Sequence, residues 1–386
     1  MDFSYEVEPF LDASTLCLIA RLLAEAFESG SSESEEDDAD DPAGPAPKRT
    51  RRQWPRLNFA CSQQAQMLIT NAHHDPSSTH NRDFRDTYRC PVSFFEEICD
   101  FVQPHYGKDE ADCVGRPAVP FKLKVLMCFF ILSTGMTFLA AGKIVGCGKE
   151  TMRTFFLLFT KICATHLADR CIKLPQNEAE VQRAVDTYAQ ADLPGCMGSI
   201  DCTHIGWTRA RASVRSWYVG KEGVPTVAFQ VIVDHSTRVM AVSNVFPGTH
   251  TDKTIARLDE QLGLIRMFNL FTLFAFSVLV SPGIREVVLG VYLIADGGYQ
   301  KWRVLQQTNK LNTGLHRCTL HAMSIYACHT RARKITLSWL FPDPQLRGFL
   351  AQVASSRKDV ECAFGRIKNR FRCFYLFCCS SLNHAH

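Results

Sequence analysis

The stretch VYLIADGGY, residues 291–299, carries the reading of this chain. Five apolar residues run without interruption until Asp296 and two glycines stop them. A short apolar run closed by turn residues reads as a buried strand. Residues 291–295 are therefore predicted to be a strand that ends at Asp296. The same design stands upstream in GCMGSIDCTHIGW, residues 195–207, where a strand over 197–205 carries Asp201 at the end of its apolar part. Between them, VPTVAFQVIVDHSTRVMAVSNVFPG predicts strands over 226–234 and 238–246, turned at Asp234-His235-Ser236-Thr237. A helix follows from Asp252 to about Leu262, and another covers 351–372. Strands followed by alternating helix and strand define an α/β domain.

A carboxylate at the end of a buried strand carries a desolvation cost. Capping a following turn is its ordinary use. Two such ends in one sheet, joined by a helix with a third acid, allow a second use. Together they can hold two Mg²⁺ ions, which prefer hard oxygen ligands and stabilise both oxygens of an in-line displacement at phosphorus. The third acid lies in RKDVECAFGRIKNRFR, residues 357–372. As a helix, this segment places Val360, Ala363, Phe364, Ile367 and Phe371 on one apolar stripe. Glu361 flanks the stripe, in line with Arg357, Lys358, Gly365, Lys368 and Arg372. Two readings stay open here: Glu361 pairs with basic neighbours along the helix, or it holds a metal while the basic ridge follows a phosphate backbone.

The region from 85 to 170 has helical periodicity. SFFEEICDFV repeats apolar residues at helical spacing, and FKLKVLMCFFILSTG reads as a long apolar helix. FLAAGKIVGCGKETMRTFFLLFTKI reads as helix, tight turn at Gly146-Cys147-Gly148, and second helix opened by Lys149, Thr151 and Arg153. A helix-turn-helix has this layout and presents such side chains to DNA, and so has a plain helical hairpin.

Charge is distributed unevenly. Residues 1–41 hold thirteen Asp/Glu against one Arg, a balance of −12, which leaves +16 on the rest of a chain whose total is +4. A basic body points to a polyanionic partner, DNA being the common one. Residues 1–56 are predicted to be a disordered arm with a possible short helix over 9–28, an acidic run and a basic cluster of Lys48, Arg49, Arg51 and Arg52. The cluster suits nuclear targeting, so the expected location is the nucleus, alone or shared with the cytoplasm. Seventeen scattered cysteines without a Cys-x-x-Cys pair suit a reduced protein. His316, Cys318, His321, Cys328 and His329 match no usual zinc spacing. The apolar run Met267 to Val280 is shorter than the roughly 18–20 residues needed to cross a bilayer, so no membrane partner is expected.

Four segments in order, GSIDCTHI, VFPGTHTD, YLIADGGYQKW and RKDVECAFGRIKNRFR, resemble the PIF/Harbinger transposases and their domesticated nuclease relatives. The resemblance covers about residues 85–372. It implies a ribonuclease H-like DDE nuclease domain over 190–372, preceded by an all-α helix-turn-helix-like domain over 85–170. It implies Asp201, Asp296 and Glu361 as catalytic acids and metal ligands. Asp252 matches a further family acid, also assigned to the metal, although an Asp opening a helix is an ordinary N-cap. The implied cofactor is Mg²⁺ or Mn²⁺, two ions, and the implied activity is cutting, with joining, of DNA. Lys149, Arg153, Arg357, Lys358, Lys368 and Arg372 are the expected DNA contacts. A Myb-like DNA-binding partner is implied as well, and a homo-oligomer is compatible with the pattern. The spacings after Asp252 and Asp296 exceed the family's, which places inserts at 264–290 and 313–349, and 373–386 reads as an atypical, truncated tail. The alternative is a domesticated, non-catalytic DNA- or chromatin-binding protein.

Overall fold

The computed structural model describes residues 13–30, 62–107, 118–207, 210, 212–281, 284–307 and 351–372. The basic cluster at 48–52, the Cys/His group at 316–329, the 313–349 insert and the tail from 373 lie outside these residues. The chain divides into two compact units, residues 1–168 with 370–386, and residues 169–369.

In the first unit every described element is a helix. Phe121–Thr134 is apolar almost all round, as a helix enclosed by its neighbours must be. Its one buried cation, Lys124, donates to the Tyr106 hydroxyl at 2.6 Å and lies over the Phe155 ring. Val92–Tyr106 buries Phe95, Ile98, Cys99 and Val102. The expected 9–28 helix is described from Ala13 to Gly30 and buries Leu16, Ile19 and Leu23. Phe138–Val145 and Lys149–Ile162 form the expected helix pair, its turn closed by the Cys147 amide donating to the Gly142 carbonyl at 2.8 Å.

The second unit is a mixed α/β fold. Eight strands are described: β1 Cys196–Gly206, β2 Thr226–Val233, β3 Val239–Val242, β4 Phe246–Pro247, β5 Ala275–Ser281, β6 Ile284–Leu289, β7 Tyr292–Ala295 and β8 Leu305–Gln307. The main sheet runs β3-β2-β1-β7-β8, with β4 also on β2. β1, β2 and β3 are antiparallel neighbours, whereas β7 and β8 join parallel to β1. A mixed sheet in this order is consistent with a ribonuclease H-like domain. β2, fully buried, is the central strand of the antiparallel half. The strand expected over 238–246 is broken after Val242, because the Ser243 hydroxyl accepts from the Gln230 amide in place of a ladder bond.

Two boundaries differ from the sequence reading. The unit starts at Asp169 rather than at 190, since the Glu178–Ala189 helix packs on β1 and sends Val181, Val185 and Tyr188 into the core. Asn177 caps that helix by accepting from the Glu180 amide. The final helix ends at Arg370, so Arg372 falls beyond it and in the first unit. The Met267–Val280 run forms no membrane-length helix; among the described residues no helix is long and apolar enough to cross a membrane. It forms the short Asn269–Thr272 helix and β5, and Phe271, Phe274 and Phe276 enter the core. Among the described residues the β5–β6 hairpin pairs only with itself.

Candidate active site

Parallel pairing of β1 with β7 ends at Ile200↔Ala295. Asp201 and Asp296 are the next residue on each strand. Neighbouring strands lie about 4.8 Å apart, so the backbone brings the two carboxylates to the same edge side by side. Asp201 is placed inside the long strand β1, still paired with Val231 of β2, and not at a strand end. The expected strand end is the end of its parallel pairing.

Each carboxylate is anchored by one oxygen. Asp201 Oδ1 accepts from the Cys202 amide at 2.8 Å, and Asp296 Oδ1 accepts from the Gly297 amide. A third acid joins from the Asp252–Leu258 helix. The N-cap of that helix is Thr251, whose side chain accepts from the Thr254 amide. The capping role open to Asp252 is thus filled by its neighbour. A Cβ on Gly298 would stand 2.9 Å from Asp252 Oδ2 and 3.7 Å from Asp296 Oδ2. Any side chain there would fill the space that both carboxylates face, which explains a glycine two residues after Asp296.

The electrostatics agree with this convergence. Burial pushes the Asp201 carboxyl up to about 6, and the negative charges of Asp296 and Asp252 add to the rise. The Cys202 amide and the Arg357 guanidinium oppose it. Tyr299 holds the loop: its hydroxyl reaches Cys202 Sγ at 3.2 Å, and its carbonyl accepts from the Gln307 side chain at 2.7 Å. The loop after Asp296 is thereby tied to the residue after Asp201. The sequence reading assigned Tyr299 no role, although it stands in the quoted DGGY segment.

Glu361 is placed differently. It is exposed and pairs with Arg357 at 2.5 Å, the i,i+4 contact that was one of its two readings. Arg357 is also the cation that acts on Asp201, so Glu361 is linked to Asp201 through Arg357. The helix itself is firmly docked. Val360, Ala363, Phe364 and Ile367 are buried as the stripe predicts. Ser199 donates to the Ser356 carbonyl at 2.9 Å, and Asp359 accepts from Tyr188 and His235. Of the expected DNA contacts, Lys358 is exposed, and Lys368 donates to the His204 carbonyl at 3.1 Å while exposed. Arg357 is engaged with Glu361. In the first unit, Lys149 opens its helix and Arg153 lies 3.8 Å from Glu150.

The donor set suits a hard divalent cation: Asp252 and Asp296 both face the space beside Gly298, Asp201 stands next to Asp296 at the edge of the parallel pairing, and none of the three is a soft ligand. Residues 200–384 match the DDE superfamily endonuclease family, which bears out the resemblance carried by the four motifs. "Putative nuclease HARBI1" of Homo sapiens is 26% identical over 136 residues, 35% of this chain and 38% of that protein. "Protein ALP1-like" of Arabidopsis thaliana is 20% identical over 226 residues, 58% of this chain and 53% of that protein. The chain thus spans between about two fifths and half of the length of these curated relatives. No solved structure matches.

Proposed function

We propose that this chain is a divalent-metal-dependent DNA endonuclease of transposase origin, with Asp201, Asp252 and Asp296 as its preformed ligands and Glu361 as the ligand that completes the site. The observation that carries the reading is the meeting of Asp201 and Asp296 one residue past Ile200↔Ala295, with Asp252 Oδ2 facing Asp296 Oδ2 across Gly298. Bound Mg²⁺ or Mn²⁺, as a pair, would activate a water or a DNA 3′-hydroxyl and stabilise the leaving oxygen. The chain's own contribution is to hold carboxylates in fixed directions. Cys202 and Gly297 amides fix one oxygen each of Asp201 and Asp296, and Tyr299 ties the loop after Asp296 to Cys202. Glu361 leaves Arg357 to join the ligands, and the freed guanidinium turns to the phosphate backbone, with Lys358 and Lys368 beside it. Lys149 and Arg153 supply a second contact to DNA from the helix pair. The basic cluster at 48–52 directs the chain to the nucleus, and a Myb-like partner supplies target recognition.

The test is nicking of supercoiled DNA by the full chain in Mg²⁺ or Mn²⁺. Cutting is expected to vanish in EDTA and in Asp201→Ala, Asp296→Ala and Glu361→Gln, with DNA binding kept. Cutting at the parental rate by Asp296→Ala removes the proposed site, and the same result for Glu361→Gln reduces Glu361 to a partner of Arg357. Absence of metal-dependent cutting, with DNA still bound, favours the non-catalytic alternative.

A further inference from the structure

A second metal-ligating cluster lies in the helical unit, away from any residue used above. His73 and His74 end the short 3₁₀ turn Ala72–His74, and Glu96 stands on the Val92–Tyr106 helix. One donor atom from each lies within 4.8 Å of the others, and among the described residues this is the cluster of three ligating side chains that close together. The two elements are separated in sequence by the whole Thr79–Tyr88 helix. Their meeting is therefore a product of folding.

His73 sets this cluster apart from a surface ion pair. Its residue is fully buried, yet neither Nδ1 nor Nε2 makes a hydrogen bond of ordinary geometry, the Met67 carbonyl being the backbone acceptor that acts on the ring. Native interiors seldom leave a polar side chain in that condition. Stacking on Phe84, with ring centroids 5.3 Å apart, holds the ring without satisfying it. The turn itself is fixed, since Asn81 Nδ2 donates to the His73 carbonyl at 2.6 Å. His74 Nε2 already stands 3.6 Å from Glu96 Oε1. Two ligands on a tetrahedral zinc with arms of about 2.0–2.1 Å lie roughly 3.4 Å apart, so this edge is nearly set. The other oxygen of Glu96 takes Lys122, which orients the carboxylate as second partners of metal ligands do.

We propose that His73, His74 and Glu96 form a structural zinc site that clamps the 72–74 turn to the Val92–Tyr106 helix. Two imidazole nitrogens and one carboxylate oxygen make a borderline donor set, which favours Zn²⁺ over the hard ions suited to the aspartates. Water completes the tetrahedron. One nitrogen of His73 gains the metal as its partner and the other carries the proton. An ion pair of His74 with Glu96 alone would still leave at least one nitrogen of the buried His73 without a partner.

The test uses the full chain, stripped with chelator and then dialysed against Zn²⁺ or Co²⁺. Asp201→Asn/Asp296→Asn serves as background, so that ions at the acidic site do not contribute. The expected result is about one tightly held Zn²⁺ per chain, visible Co²⁺ absorption of a four-coordinate site, and a zinc-dependent rise in Tm. His74→Ala and Glu96→Gln, at half-exposed and partly exposed side chains, are each expected to lose all three readouts while melting like the parent in chelator. Zinc content that is equal in parent and variants overturns the proposal. So does a parent chain that holds no zinc above background. If His74→Ala alone melts early in chelator, Glu96→Gln decides by the same readouts.

Discussion

Asp201 is the residue at which folding and function pull apart. Its carboxyl is raised to about 6, with burial the first cause, against about 3.9 in an unfolded chain. Between those values the folded chain keeps a proton that the unfolded chain gives up. Stability from this group is therefore complete below about pH 4 and lost as pH rises through about 6. In chelator at pH 7.5, Asp201→Asn should stabilise the chain by about 1–3 kcal/mol, the upper figure being a two-unit shift undiminished by solvent. At pH 3.5 the two chains should melt together. A gain that is constant across pH, measured by thermal melts, would mean that desolvated charge is not its source. Tyr299 makes a second case at this scale. Tyr299→Phe removes the bond to Cys202 Sγ but keeps the buried ring. It should lower the nicking rate several-fold and leave DNA affinity unchanged, since a loosened Asp296 loop misplaces a ligand. An unchanged rate would make that bond incidental to the site.

At the scale of elements, the 264–290 segment separates two properties that look alike in sequence. Phe271, Phe274 and Phe276 are buried in the core of the second unit, whereas Met267, Phe268, Leu273 and Val287 are exposed, Met267 at 81%. Gly195, at φ +79, shows how close the packing is: a Cβ there would stand 2.2 Å from Phe276 Cζ. Phe276→Ala should cost about 3–5 kcal/mol, as loss of a buried aromatic ring does. Replacing Met267, Phe268 and Val287 with Lys, Ser and Thr should instead raise soluble yield at equal stability, because exposed apolar clusters promote association. Denaturant melts and soluble fraction read the two effects separately. The opposite pattern, tolerance at Phe276 and unfolding at the exposed sites, would mean that the buried and exposed faces are misassigned. The final helix teaches the same lesson: its apolar stripe was legible, but Asp359 turns to Tyr188 and His235 while Glu361 takes Arg357.

For the whole molecule the uneven charge is the governing feature. The −12 of residues 1–41 stands against +16 elsewhere, and at moderate salt such blocks interact. Replacing the seven acids of residues 31–41 with Ser, which spares the packed Ala13–Gly30 helix, should tighten DNA binding several-fold near 50 mM salt and by little near 200 mM, where screening shortens the reach of the acidic run. Titrations at the two salts check this. An equal gain at both would assign the effect to something other than charge.

How much of this was legible without a structure follows from range. Strand β7 with Asp296, the apolar stripe of the last helix and the Gly146–Gly148 turn depend on neighbours a few residues away, so periodicity and turn chemistry reveal them. Sequence also carried the four motifs whose resemblance agrees with the match of residues 200–384 to the DDE superfamily endonuclease family. The place of Asp252 could not be read in this way, because Thr251 and Asp252 are both ordinary caps until one sees which side chain accepts from Thr254. The Glu178–Ala189 helix has a cap and a periodic face, but only packing on β1 assigns it to the second unit. The registration of Ile200 with Ala295, 95 residues apart, and the burial of His73 without a hydrogen bond of ordinary geometry are settled by chain segments meeting in space. Local energetics dictate the elements; which carboxylates meet at one sheet edge is decided by long-range packing, to which no single window of sequence has access.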